Sequence, residues 1–170
     1  MPRLQDRGFF VLMAAKIYLQ GIKGKDKYAL VDDEDFEKVS QFKWYLHKHG
    51  YAVTAGSKTK MHRFILNATK KEEEVDHVNH NGLDNRRTNI RICTHAQNMF
   101  NKNKQINNKS GYKGVYWEKQ GEGFWRARIQ VKGKGIHLGV FDDILAAAEA
   151  YNKAAKQYFG EYGRGNYGFI

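Results

Sequence analysis

Residues 75–98 read VDHVNHNGLDNRRTNIRICTHAQN, and this stretch decides how the first half of the chain folds. Short apolar pairs stand on both sides of a polar loop, at 75–78 and 89–92, which is typical of a β-hairpin. We predict that Gly82 takes a positive φ in the turn. Thr94 and Gln97 match the capping-box pattern, which predicts that a helix begins directly after the second strand. The predicted order is strand, loop, strand, helix.

Shorter signals precede this segment. Apolar runs predict a strand at 27–31 and a strand pair at 44–53, and Asp32 or Asp33 is placed to cap a short helix between them. A further apolar segment covers 61–66. Two polar residues, His62 and Arg63, interrupt it, and one reading is a polar pair at a strand end.

The charge of the chain is concentrated. The formal net charge of the 170 residues is +11, and residues 86–137 hold twelve lysines or arginines against two glutamates. A polyanion-binding surface requires such concentrated positive charge.

The single cysteine, Cys93, excludes an intrachain disulfide and a cysteine-based zinc knuckle. No apolar run approaches the roughly 20 residues that span a bilayer, so we expect a cytoplasmic protein with no membrane association.

The chain is expected to have four parts. Residues 1–13 lack periodicity, and a second possible start follows them, which indicates a disordered or non-native extension. Residues 14–100 form the first domain. Residues 101–109 are almost entirely Asn, Lys and Gln, a composition that cannot build a core and predicts a linker. Residues 110–170 form the second domain.

The second domain is predicted to be a three-stranded antiparallel sheet packed on one helix. In the middle strand, 125–131, the apolar residues fall on one face and Arg126, Arg128 and Gln130 on the other. A helix at 144–158 carries a stripe of small residues, and Gly160 ends it. The predicted fold class is therefore α+β.

Four residues of the first domain have the chemistry of phosphodiester hydrolysis. His77 is the candidate general base, and Asp76 and Asn98 are candidate oxygen ligands of a divalent cation such as Mg²⁺ or Mn²⁺. Asn89 is suited to hydrogen bonding across the loop, which would hold the hairpin shut. A structural zinc held by His77 with neighbouring histidines is the weaker alternative, because the spacing is poor and no cysteine contributes.

These residues resemble the HNH endonucleases, specifically the phage and intron-encoded homing group. The resemblance covers about residues 27–101 and is carried by Val75-Asp76-His77-Val78-Asn79, Leu83-Asp84-Asn85-Arg86-Arg87-Thr88-Asn89-Ile90-Arg91 and Gln97-Asn98. It implies a ββα-metal site with His77 as base, Asp76 and Asn98 on the metal, and Asn89 in a structural role. Further candidates for DNA contact in this domain are His62 and Arg63, for which a polar pair at a strand end is the alternative. Arg86, Arg87 and Arg91 are also candidates; solvated side chains are the alternative, but a place beside a phosphodiester site favours contact with the DNA backbone.

The second domain resembles the APETALA2/ethylene-response-factor DNA-binding domain over residues 110–166. The matching segments are 110–115, 125–129, 137–142 and 146–155. In that family the sheet lies in the DNA major groove. Carried over by position, the candidates for DNA contact are Lys113, Tyr116, Glu118, Arg126, Arg128, Gln130 and His137. Several of these differ in type from plant members, so no plant target sequence can be transferred.

The sequence therefore predicts a site-specific, homing-type endonuclease that cuts double-stranded DNA with one divalent metal and nicks one strand per active site. It is expected to be a monomer or a homodimer. Two alternatives stay open: a non-catalytic DNA-binding regulator, and a nuclease acting on structured RNA.

Overall fold

The computed structural model describes residues 14–169 of the chain, so the predicted extension at 1–13 lies outside the described residues. The chain is of mixed α and β structure with small antiparallel sheets. It divides into two compact units, of which the first ends at Cys93 and the second begins at Thr94.

The first unit is built from three antiparallel strand pairs and two short helices. Strand β1 (Ala14–Tyr18) pairs with β2 (Tyr28–Asp32), and helix α1 (Asp33–Ser40) follows. Strand β3 (Trp44–Leu46) pairs with β4 (Ala52–Thr54), and helix α2 (Met61–Ile65) follows. Strand β5 (Glu74–His77) pairs with β6 (Ile90–Cys93), which are the two strands of the predicted hairpin.

The core of this unit lies where these elements meet. Its largest fully buried side chains are Trp44, Met61 and Ile65, and they pack with Val31 and Val39. The indole Nε1 of Trp44 donates a hydrogen bond of 2.7 Å to the carbonyl of Val39, so the ring satisfies its polar atom inside the core.

Three local expectations for this unit are wrong in detail. Residues 61–65 form a helix and not a strand end: Met61 and Ile65, one helical turn apart, are both buried. Asp32 stands at the start of α1, but its carboxylate makes no capping bond and instead accepts the backbone N–H of Arg87 at 2.7 Å. Gly82 does not have a positive φ; His80 does, at 63°.

Gly82 is required by packing. A Cβ at this position would lie 2.7 Å from the carbonyl oxygen of Gly50 and 2.8 Å from the Tyr51 ring. The loop between β5 and β6 therefore approaches the turn between β3 and β4 more closely than any side chain allows.

The second unit begins with helix α3 (His95–Phe100), which has the predicted capping box between Thr94 and Gln97. Strands β7 (Val115–Glu118), β8 (Phe124–Val131) and β9 (Lys134–Phe141) form an antiparallel sheet in that order. Helix α4 (Ile144–Phe159) follows, and Asp143 caps it by accepting the N–H of Ala146. The short strands β10 (Arg164–Gly165) and β11 (Gly168–Phe169) pair near the end.

Helix α4 packs on one face of this sheet, as predicted. Ala127 and Ile129 of β8 are buried against a stripe of small helix residues that includes Ala147 and Ala155. At the end of the stripe Phe159 is buried, whereas Tyr158, the last residue of the predicted helix, is 42% exposed. No helix among residues 14–169 is long and apolar enough to cross a membrane.

Candidate active site

His77 stands at the end of β5 and is 6% exposed. Its Nε2 lies 3.2 Å from the side-chain oxygen of Asn85, in the loop before β6. An amide oxygen carries no hydrogen, so this contact is a hydrogen bond only when Nε2 of His77 holds the proton. The imidazole lone pair is then on Nδ1, and a lone pair on a ring nitrogen is what a general base uses.

Burial acts on the same group. It lowers the pKa of His77, and the hydrogen bond that Nε2 donates to the Asn85 oxygen and the charge of Asp76 offset this effect in part. The ring is consequently neutral at physiological pH. A neutral, buried imidazole accepts a proton without first having to lose one.

Aromatic rings surround His77 within the first unit. Tyr51 stacks on it, with ring centroids 5.8 Å apart and an interplanar angle of 27°, and His62 of α2 meets it edge-on at 4.8 Å. Burial lowers the pKa of His62 to about 3, so this ring is neutral. Its Nδ1 is buried and has no hydrogen-bond partner among the described residues. His62 forms a wall of the site and carries no charge toward a phosphate.

The loop that contains Asn85 is fixed at both ends. The side chain of Asn89 accepts the N–H of Asn79 at 2.9 Å and donates to the carbonyl of Asp84 at 2.6 Å. The backbone of Leu30 in β2 accepts from Asn85 and donates to Leu83, both at 2.8 Å. Asn85 is thereby held fully buried beneath His77.

The arginines of this unit that were candidates for DNA contact are engaged within the chain. Arg86 binds the carboxylate of Asp84 through two donors, and Arg87 binds Asp35 in the same way. Arg91 binds Asp76 through Nε and Nη2. The guanidinium of Arg63 instead donates to backbone carbonyls, those of Glu73 and Lys70. These guanidinium groups brace the framework around the loop.

The candidate metal ligands differ in where they stand. Asp76 precedes His77 in β5 and is buried, with its Oδ2 bound to Arg91, while Asn98 stands on α3 in the second unit. No three His, Cys, Asp or Glu side chains of residues 14–169 gather into a metal cage. Carboxylate and amide oxygens are ligand types that suit an ion such as Mg²⁺, which keeps several waters and needs only one or two protein oxygens.

The sequence did not point to Asn85 or Tyr51 as parts of the site. Asn85 lies inside the motif that carries the resemblance, but nothing in the motif says which of its amides meets the histidine. Tyr51 precedes the short strand β4, and only the folded chain brings it against His77.

On the sheet of the second unit, the candidates for DNA contact fall into two groups. Arg128, Gln130 and His137 are exposed. Arg126, which stands opposite Tyr116, forms a 2.8 Å ion pair with Glu118. Arg128 lies across Gly135 of β9, where any Cβ would collide with its guanidinium. The face opposite α4 is therefore basic and ordered by local contacts.

Lys113 has a different environment from the other candidates. Its Nζ donates to the carbonyls of Phe100 and Lys102, at 3.0 and 2.7 Å, and lies 3.5 Å from that of Arg164. Burial lowers its pKa to about 8. The side chain ties the segment after α3 to the sheet.

Comparison with known proteins points to a nuclease family for the segment that contains these residues. The model of an HNH endonuclease family matches residues 67–100, the segment that contains His77, Asn85 and Asn89. The class is thus that of the HNH nucleases. An uncharacterised HNH endonuclease of Acanthamoeba polyphaga mimivirus is 32% identical over 93% of this chain and 84% of its own length. Protein 3.8 of Escherichia phage T7 is 28% identical over 53% of this chain and 73% of its own length. No solved structure matches at a significant level.

The chain belongs to the HNH endonuclease family, whose members are nucleases that act on DNA.

Proposed function

We propose that the protein is a homing-type endonuclease that hydrolyses one phosphodiester of double-stranded DNA per active site. His77 is the general base, and Asp76 and Asn98 hold a single divalent ion such as Mg²⁺ or Mn²⁺. Asn89 keeps the loop closed. The observation that carries the proposal is the buried His77, whose pKa burial lowers and whose Nε2 lies 3.2 Å from the side-chain oxygen of Asn85.

The chemistry follows from the tautomer in which Nε2 of His77 holds the proton. Nδ1 of His77 takes the proton of a water as its oxygen attacks the phosphorus. The imidazolium that forms is stabilised by the Asn85 oxygen and by the negative charges of Asp76 and Asp84, which favour the protonated ring. A bound divalent ion supplies stabilisation of the charge on the phosphate and on the departing 3′ oxygen.

The sheet of the second unit is proposed to read the DNA, as its resemblance to the APETALA2 family implies. The exposed face that carries Arg128, Gln130 and His137 supports this role, since its charge is positive and α4 packs on the apolar residues of the other face. Tyr116, Arg126 and Glu118 border the same face.

A cleavage assay on supercoiled circular DNA tests the nuclease. We expect Mg²⁺-dependent conversion of the supercoiled form to the relaxed form before linear DNA accumulates, because one site cuts one strand. His77→Ala should remove cleavage and leave binding nearly intact, since it removes the base but no phosphate contact. Binding without cleavage by the wild type would favour the regulator, and cleavage of structured RNA alone would favour the RNA nuclease.

The metal ligands have a separate test. Asp76→Ala and Asn98→Ala should each raise the Mg²⁺ concentration that gives half-maximal cleavage, because each removes an oxygen ligand. An unchanged Mg²⁺ requirement in both variants would place the metal elsewhere.

A further inference from the structure

The second unit contains a groove of about 910 Å³ beside the sheet. The groove shares some residues with the outer face of the sheet and also includes residues outside that face. Helix α3 and residues 102–108 form one wall, and strands β7 and β8 form the other. We call it the linker groove. Its buried lining is largely apolar and includes Ile129, Tyr151 and Phe159.

The wall formed by the linker residues is held to the unit by specific contacts. The Phe100 ring stacks on Phe159 with centroids 3.9 Å apart and an interplanar angle of 11°. Lys113 binds the carbonyls of Phe100 and Lys102, and Lys104 binds that of Gly111 at 2.8 Å. The groove is thus a feature of the folded unit.

The charge of the linker groove has one sign. Five cationic side chains line it and no aspartate or glutamate does; the cations are Lys102, Lys104, Lys113, Arg128 and Lys132. Lys102, which follows α3, and Lys132, in the turn after β8, are both exposed. Side-chain amides, including Gln105 and Gln130, also reach the groove and can donate hydrogen bonds.

The groove is continuous with the outer face of the sheet. Tyr116, Arg128 and Gln130 belong to both surfaces. A polyanion bound on the sheet would therefore extend into the groove, where cationic side chains suit phosphates and an apolar lining suits the faces of sugars. No acidic side chain opposes it.

We propose that the linker groove binds the sugar-phosphate backbone of double-stranded DNA, beside the bases that the sheet reads. The proposal rests on the proposed function in one respect, that DNA is bound at the sheet. It adds a second contact surface, formed by residues 99–108, that contributes affinity without sequence preference.

Affinity for duplex DNA, measured without divalent metal between about 50 and 200 mM salt, tests the groove. The double variant Lys102→Gln/Lys132→Gln should weaken binding to every duplex sequence alike and lower the slope of log affinity against log salt by roughly one to two units. The matched control is Lys153→Gln/Lys156→Gln on α4, which removes the same charge from exposed positions. We expect the control to keep the wild-type slope.

Each other outcome counts against the proposal. Equal slopes for the two double variants would mean that only net charge matters, and a wild-type slope for the groove variant would mean that the groove is empty. A loss confined to RNA probes would make RNA the occupant. Cleavage in Mg²⁺ is measured on the same proteins: if the wild type cuts DNA and the groove variant keeps its slope, the groove alone is refuted.

Discussion

Asn85 is the residue on which the proposed role of His77 depends. A general base must present a lone pair in the right direction, and the Asn85 oxygen decides which nitrogen carries the proton. We expect Asn85→Ala to lower kcat by about 10-fold or more with unchanged DNA affinity, because the ring loses its fixed tautomer. Asn85→Asp keeps an acceptor at the same place.

The two variants distinguish positioning of the His77 ring by Asn85 from a role of Asn85 in packing alone. Recovery of kcat in Asn85→Asp, measured under saturating DNA, is the expected result. If both variants lose activity to the same extent, the amide has a structural role only.

His62 predicts a dependence of stability on pH. Its pKa is about 3 in the folded state and its ordinary value is 6.5, so between these pH values the unfolded chain binds one more proton than the folded chain. The contribution of neutral His62 is fully present above about pH 6.5 and is lost as the pH falls, by at most about 1.4 kcal/mol per pH unit.

Urea unfolding at pH 7 and at pH 5, for the wild type and for His62→Gln, measures this contribution. The free energy of unfolding should fall more steeply for the wild type. Parallel losses in the two proteins would show that His62 does not titrate on unfolding.

At the scale of elements, the contact of the β5–β6 loop with the β3–β4 turn leaves no room for a side chain at Gly82. Gly82→Ala places a methyl group against the backbone of Gly50, which cannot move as a side chain end can. We expect a loss of about 1–3 kcal/mol in the free energy of unfolding. Lys48→Ala, an exposed change in the same turn, should stay within about 0.5 kcal/mol of the wild type. A stability of Gly82→Ala equal to that of the control would contradict the packing.

Local patterns were enough to predict most of the elements. The hairpin strands β5 and β6, the capped start of α3 and the β7–β8–β9 sheet follow from alternation, capping and turn residues, all of which act between neighbours. Helix α2 was missed because a short apolar run does not distinguish strand from helix. The reason for a glycine at position 82 was missed because the atoms that exclude a side chain there belong to another turn.

The site residues also fall into those that a local sequence pattern reveals and those that it does not. His77 and Asn89 could be singled out because their residue types and spacing carry chemistry. The contacts of Asn85 with Leu30, and of Arg87 with Asp35, join residues distant in sequence, so no local pattern reveals them. Arg86, Arg87 and Arg91, which were candidates for phosphate contact, are ion-paired within the chain.

At the scale of the whole molecule, the second unit is expected to fold alone and to include α3. A fragment of residues 94–170 keeps the stacking of Phe100 on Phe159 and the bonds of Lys113, whereas a fragment of 110–170 loses both. An aromatic pair contributes about 0.5–1.5 kcal/mol beyond its buried area. The longer fragment should therefore unfold at a higher urea concentration.

Fluorescence of Trp117 and Trp125, which both fragments contain, follows that unfolding. The longer fragment should also bind DNA without cutting it, since His77 is absent. Identical urea midpoints for the two fragments would show that α3 adds nothing to the second unit.

Cys93 gives the molecule a chemical reporter at the point where its two units join in sequence. It is the chain's one thiol, it is 4% exposed, and burial raises its pKa to about 11. Thiol-reactive reagents attack the thiolate, so at pH 8 the folded protein should be labelled only as fast as the end of β6 opens. Because the chain has no second cysteine, the labelling rate measures the rate of local unfolding at the end of β6.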